Sequence, residues 1–322
     1  MLALPAIAMA LASVTACGSN SGTSDGSNGY EPGGSTDYLV GFKAGGGTDL
    51  TARQVTKLLS DEGIVDTQFS VQNLTGSGGL QAYTTLAKRG GDDALMQLVD
   101  IPSGLYVDDS NVSWKEFDVL GQVANNALLV VVPKDSPYET AKDLFAAMDQ
   151  ENVAIGLPST TDSREAGKWY EMAEGFGVEN ADINFVPSAG ISAVVPEIIS
   201  GRNQAALFVP TVAQDLIKSG KVKALAVTSE KRLDEFSDVP TLQEQGSDVT
   251  FYRPQGVAIA ASASAEAKEY WIDAIKDLTE TDAWKTFTSE NGYINEYKTP
   301  GEYDEWLDTE IQAYENYLAT LD

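Results

Sequence analysis

At 322 residues, 43% of them hydrophobic, the chain is long enough for one large or two medium domains with real cores. Against 48 Asp and Glu stand 21 Lys and Arg, and the formal charge of -27 repels nucleic-acid phosphates and anionic lipid surfaces. With no histidine and one cysteine there is no Ser-His-Asp triad, no His- or Cys-rich metal site and no internal disulfide, so the core rests on burial alone.

Residues 1–16 (MLALPAIAMALASVTA) are uncharged, apolar and small, like the core of a secretory signal peptide. They are too few to span a bilayer, which takes about 20 apolar residues. They end in Val14-Thr15-Ala16-Cys17, a lipobox-like run. Cys17 is therefore expected to be lipidated, to become the mature N-terminus and to tether the protein to the outer face of the cell membrane. No basic residue precedes Lys43, so translation is expected to start upstream of Met1. Residues 17–36, nearly all Gly, Ser, Asn, Thr and Asp, read as a flexible tether. Within them Gly22-Thr23-Ser24-Asp25-Gly26 matches G-x-S-x-G formally, without the strand-turn-helix context or the histidine partner of a nucleophile.

From residue 37 short apolar runs alternate with helix-length amphipathic segments. Strands are expected at 38–42, 68–72 and 94–99, with helices over 48–61 and from about 80 to 88. The β-branched run 128–132, stopped by Pro133, suits a buried strand, and a helix follows near 141–148. A second series has strands at 153–156, 183–186, 205–208 and 224–227, with helices near 165–176, 193–200 and 212–219. Strand 257–260 and helices near 265–278, 282–290 and 300–321 complete the chain. This alternation argues α/β lobes on doubly wound parallel sheets. Runs 128–132 and 257–260 are the candidate crossing strands between lobe one (37–126 and 254–322) and lobe two (127–253), with the ligand cleft between them at the carboxyl ends of the strands. Trp271, Trp284, Tyr303, Trp306, Tyr314 and Tyr317 recur at helical spacing and are expected to pack.

Chemistry concentrates after the first two strands. Phe42-Lys43-Ala44-Gly45-Gly46-Gly47-Thr48-Asp49 sets three glycines before a helix that Thr48 or Asp49 would cap. Asn73-Leu74-Thr75-Gly76-Ser77-Gly78-Gly79 repeats the device. Taken singly, such glycines also suit an ordinary tight strand-to-helix turn. Taken together, they bring two clusters of backbone N–H groups to one point, able to hold a carboxylate without an arginine. Neither loop carries the Gly-Lys-Ser/Thr of a phosphate loop, and G-x-G-x-x-G fails in both. Arg53 is placed for an i,i+4 ion pair with Asp49, while Lys43 and Arg164 are either solvated or carboxylate partners.

These segments resemble the Bug-type periplasmic solute-binding receptors of tripartite tricarboxylate transporters. The opening pattern of that family, roughly P-F-x-x-G-G-x-T-D-x-x-A-R, corresponds to residues 41–53, and V-x-N-x-x-G-A-G-G to residues 71–79. V-P-Y-x-G corresponds to Val186-Pro187-Ser188-Ala189-Gly190, and K-A-L-A-V-T-S-x-x-R with D-V-P-T-L-x-E-x-G is nearly verbatim at 223–232 and 238–246. The resemblance spans about residues 38–322. It implies a type II periplasmic-binding fold with two doubly wound lobes, and ligand carboxylates held by backbone N–H groups, small side chains and bridging water. It assigns to the site Phe42, Gly46, Gly47, Thr48, Asp49, Gly76, Ser77 and Gly78 from lobe one. From lobe two it assigns Ser159, Thr160, Ser163, Ala189, Gly190 and, after the next strand, Pro210. Gly41, Ser77, Ser188 and Arg164 depart from the usual proline, alanine, tyrosine and histidine and make the pocket more polar.

The implied function is extracytoplasmic capture of a small di- or tricarboxylate, or related organic acid, for delivery to integral membrane transporter subunits. The implied protein is a monomer with no catalytic residue, cofactor, metal or nucleic-acid partner, touching the membrane only through its anchor. Two other readings stand beside it. One is a sensory receptor on the same fold that feeds a signalling partner. The other is a secreted hydrolase, which would need paired acids, and Asp49 with Asp162 is the pair that the cleft could offer.

Overall fold

The computed structural model describes residues 29–99, 112–158, 163–188 and 190–320. Two five-stranded sheets organise them. The first sheet takes β1 (Ser35–Val40), β2 (Gln68–Asn73), β3 (Ala94–Leu98), β4 (Phe117–Ala127) and β10 (Tyr252–Ala260) in the order β2-β1-β3-β10-β4. The second takes β5 (Leu129–Pro133), β6 (Val153–Leu157), β7 (Ile183–Pro187), β8 (Ala205–Phe208) and β9 (Val222–Val227) in the order β7-β6-β8-β5-β9. Both faces of each sheet are buried. Tyr38 and Val40 belong to one cluster and Leu39 to another, and Val130 and Val132 likewise face away from Leu129 and Val131. That is why these strands read as continuous apolar runs instead of alternating ones.

Helices α1 (Gly47–Asp61), α2 (Leu80–Arg89), α7 (Ala265–Glu280) and α8 (Asp282–Glu290) cover the first sheet. Around the second lie α3 (Ala141–Ala147), α4 (Arg164–Gly175), α5 (Ile191–Ile199) and α6 (Pro210–Lys218). The last helix, α9 (Pro300–Leu318), serves both. Tyr303 and Leu307 pack in the first core, whereas Tyr314 and Tyr317 pack in the second. The end of α9, within the expected lobe-one segment 254–322, thus packs across onto the second core. The aromatic residues do pack as their spacing suggests: Trp271, Trp284, Tyr303, Tyr314 and Tyr317 are buried and Trp306 is half-buried.

The sheets are mixed and not parallel throughout. In each, one strand runs against its neighbours, β10 in the first and β5 in the second. Both are the strands that arrive from the other lobe. A chain leaving one sheet at its carboxyl edge enters the facing sheet at that sheet's carboxyl edge, so it must run the opposite way. The crossings are also shorter than expected. Leu128 alone separates β4 from β5, and the return passes from Phe251, in the core of the second lobe, to Tyr252 at the start of β10. Segment 257–260 lies inside the first sheet.

Thr228 knots the two crossings together. Its hydroxyl donates to Phe251 O (2.6 Å) and accepts from Leu128 N–H (2.8 Å). Its backbone completes the pattern, with Thr228 N–H to Leu128 O (2.9 Å) and Phe251 N–H to Thr228 O (3.0 Å). The near-verbatim stretch at 223–232 thus has a structural reason at its centre. The body also begins earlier than the tether reading implied: Tyr30 donates to Asp92 O at 3.0 Å and stacks edge-on with Tyr270. One aromatic ring has enough area to dock where its Gly and Ser neighbours do not. Among the described residues no helix is long and apolar enough to cross a membrane.

Candidate functional site

The carboxyl ends of β1, β2 and β3 and those of β6, β7 and β8 meet across the Leu128 and Phe251–Tyr252 crossings, and this opposition defines the cleft. On the first side, Val40 and Asn73 stand in register as neighbours, so the loops after them leave the sheet together. Their contact is backbone on backbone: a Cβ on Gly41 would come within 2.9 Å of Gly79 Cα. Gly76, Gly78 and Gly79 carry φ of 145°, 64° and 103°, conformations in which a side chain is strained. Phe42, 36% exposed, lies within van der Waals reach of a Cβ on Gly79.

Helix α1 is capped differently from expectation. Gly46 occupies the N-cap with no side-chain hydrogen bond, and neither Thr48 nor Asp49 caps. Among the described residues, the N–H groups of Gly47, Thr48 and Asp49 donate to no protein acceptor, the ordinary condition of an uncapped first turn. Asp49 reaches backwards instead. Its carboxylate accepts from Gly45 N–H (2.9 Å), Arg53 Nε (2.9 Å) and Asn73 Nδ2 (2.9 Å), and Asn73 Nδ2 also donates to Phe42 O (2.9 Å). Burial pushes the Asp49 carboxyl up, but those three donors outweigh it and hold it below the ordinary carboxylate value. Asp49 thus shapes both loops and has no proton to give as an acid. The i,i+4 pair with Arg53 is formed as its spacing suggests. Lys43 is exposed and makes no ion pair among the described residues.

On the second side, Ser163 is the N-cap of α4, its hydroxyl accepting from Ala166 N–H at 3.3 Å. Gly190, at φ 96°, is the uncapped N-cap of α5 and donates its N–H to Ser188 O and Pro158 O. Ser188 Oγ is held by Glu197, which also accepts from Asn203 Nδ2 at 3.0 Å. Pro210, the first residue of α6, is buried and faces Gly292 of the first lobe. Ser159, Thr160, Asp162, Ala189 and Cys17 lie outside the described residues, as does the side chain of Ser77.

Arg164 does not stand free for a ligand. Its Nε donates to Glu310 (2.9 Å), its Nη2 to Tyr252 O (2.9 Å), and its guanidinium lies over Phe251 and Trp306. It braces α4 against α9 and the return crossing. Beside it Glu165 pairs with Arg253 of β10, joining the lobes a second time.

One residue at the cleft carries no sequence signal at all. Tyr293, between α8 and α9, reaches the start of α1: its hydroxyl is 2.9 Å from Thr51 Oγ1, which donates to Gly47 O at 3.0 Å. Burial raises its phenol pKa, so it remains a neutral donor. No motif surrounds Tyr293, and only the tertiary path of residues 291–298 beside β4 brings it there.

The comparisons with known proteins agree on one family. A family model described as tripartite tricarboxylate transporter family receptor matches residues 51–312. Protein BugT of Bordetella pertussis is 26% identical over 212 residues, which is 65% of this chain and 64% of that protein. The chain matches between 60% and 64% of the length of the curated relatives. Among solved structures, MatC of Rhodopseudomonas palustris with bound malate aligns with a TM-score of 0.71 at 17% identity, covering 88% of this chain and 98% of MatC. Rpa4515 of R. palustris with adipate aligns with a TM-score of 0.71 at 20% identity, covering 88% and 95%. At such identities these structures establish the fold, a two-lobed periplasmic-binding architecture.

Proposed function

Because the chain belongs to the tripartite tricarboxylate transporter receptor family, we propose that it is an extracytoplasmic, lipid-anchored receptor for a small di- or tricarboxylate. It hands that ligand, chemically unchanged, to the membrane subunits of such a transporter. The observation that carries this reading is the uncapped first turn of α1, where the N–H groups of residues 47–49 donate to no protein acceptor among the described residues, beside the glycine loop of residues 76–79. A helix N-terminus with free donors favours an ionised oxygen. MatC with malate and Rpa4515 with adipate, both dicarboxylates on the same fold, support the ligand class.

The net charge of -27 opposes any anion at long range. Screening over about 8 Å at physiological salt removes most of that field, while each hydrogen bond to a charged acceptor contributes about 1.5–3 kcal/mol locally. The local term wins. Anchoring rests on Cys17 after its apolar leader, and a Cys17→Ser chain is expected to leave the membrane fraction.

The test is native mass spectrometry of the purified protein, followed by calorimetric titration with malate, adipate and a monocarboxylate control. The expected result is micromolar or tighter binding of at least one dicarboxylate and none of the control. Binding of neither dicarboxylate, with a non-acidic molecule co-purifying, would overturn the reading.

A further inference from the structure

Residues 292–294 touch three parts of the molecule at once. Ile294 and Asn125 of β4 exchange both backbone hydrogen bonds, at 2.8 and 2.9 Å, three residues before the Leu128 crossing. Ile294 also packs with the second-lobe cluster that contains Leu129 and Phe208. Gly292 lies directly against Pro210 at the start of α6: a Cβ there would be 2.6 Å from Pro210 Cβ, and φ is +66°. Only glycine lets the second lobe come this close at this point. Between these two, Tyr293 sends its ring the other way, to α1. Thr51 Oγ1, 2.9 Å away, is the side-chain partner of its hydroxyl.

The hydrogen placement follows from the acceptors. The Thr51 hydroxyl donates to Gly47 O, a carbonyl that can only accept. Thr51 Oγ1 must therefore accept from the Tyr293 hydroxyl. A short chain of donors runs from Tyr293 through Thr51 to Gly47 O in the first turn of α1. We infer that Tyr293 is a positioning residue for the α1 N-terminus, and that the Gly292–Pro210 contact couples the placement of the second lobe to it. The relevance to ligand rests on the proposed function, but the coupling itself requires no ligand.

The experiment uses the full mature chain without ligand and reads amide hydrogen exchange in peptides covering residues 50–55. Tyr293→Phe keeps the ring and removes one hydrogen bond, and is expected to speed exchange there about threefold to tenfold. Gly292→Ala is expected to do the same by pushing Pro210 away. Pro210→Gly added to Gly292→Ala should restore part of the wild-type rate, because it removes the Cβ that collides and leaves only the strain of an alanine at positive φ. Unchanged exchange in Tyr293→Phe, or a Gly292→Ala effect that Pro210→Gly does not relieve, overturns the coupling. If Gly292→Ala does not fold, Tyr293→Phe alone decides. A parallel titration with malate and adipate keeps the two readings apart. Wild-type protein that binds neither acid defeats the functional reading, and the exchange result still decides the coupling. If the acids do bind, Tyr293→Phe should weaken them by a similar factor while its circular-dichroism spectrum stays that of wild type.

Discussion

Helices that begin on the outer edges of the two sheets and helices that begin at the cleft have different first turns. α3 and α7 follow the antiparallel strands β5 and β10 and so start on the outer edges. There Thr140 and Ser264 accept from Asp143 N–H and Ala267 N–H. α8 and α9 are closed in the same way by Thr281 and Thr299. α1, α2, α5 and α6 follow parallel strands and start at the cleft, where the N-cap residues are Gly46, Gly79, Gly190 and Val209 and no side chain caps. A side-chain cap contributes about 0.5–2 kcal/mol, and four of the five cleft helices forgo it. α4, closed by Ser163, is the exception. The stability left unused on one edge is what an anionic ligand would supply on binding.

The contrast can be broken most severely at Gly41. A valine there would press on Gly79 backbone at 2.9 Å or less, which neither loop can relieve by a rotamer change. We expect destabilisation of about 1–3 kcal/mol or more by urea unfolding and at least about tenfold weaker ligand binding by titration.

Asp49→Asn comes next, since the carboxylate holds Gly45, Asn73 and Arg53 in place. Loss of charged acceptor strength should cost about 1–3 kcal/mol. The pH dependence has a definite sign. The folded-state pKa of Asp49 is depressed, so its stabilisation is complete above the unfolded-state value of about 3.9 and disappears as pH falls through the lower folded value. Resistance to urea should fall below about pH 4 in the wild type, and Asp49→Asn should lack that part of the decline.

Ser163→Ala sharpens the comparison from the other edge of the cleft. Removing the one side-chain cap there should lower stability by about 1 kcal/mol, with ligand affinity changed less than by Asp49→Asn. An affinity loss larger than that of Asp49→Asn would make Ser163 a ligand contact and not only a cap. The smallest effect is expected at Lys43. It is exposed and unpaired among the described residues, and Lys43→Ala should change stability by no more than about 0.5 kcal/mol and affinity by less than about twofold at physiological salt. A loss at Lys43 greater than at Gly41 would mean that side-chain charge and not backbone captures the ligand.

Much of the fold is legible in residue patterns. The runs around β5, β6 and β8 announce themselves because strands buried on both faces need apolar residues throughout. β4, the longest strand, gives no such sign. Gly121, Gln122, Asn125 and Asn126 interrupt it, and these residue types are poor strand formers in isolation. They are there because that end of β4 is where the lobes join: Gln122 and Asn125 donate to Glu296. Local propensity lost to tertiary demand. Of the site, the glycine loops are visible because backbone with positive φ calls for glycine. The true N-cap is not visible, since Thr48 and Asp49 are the better caps by type and only the loop path makes Gly46 the N-cap.

By itself the sequence determines the two α/β series, the glycine turns that open the cleft edge of the first lobe, the absence of histidine chemistry and the family. Each follows from properties that residues carry with them: hydrophobic period, left-handed backbone tolerance, side-chain inventory. Which strand runs antiparallel, how α9 divides itself between two cores, the removal of Arg164 from solvent and the arrival of Tyr293 at the first turn of α1 were decided by tertiary structure alone. All four depend on groups far apart in the chain, Thr51 and Tyr293 being separated by 242 residues. No local preference encodes such a meeting; it exists only once both sheets have packed and the chain has crossed between them.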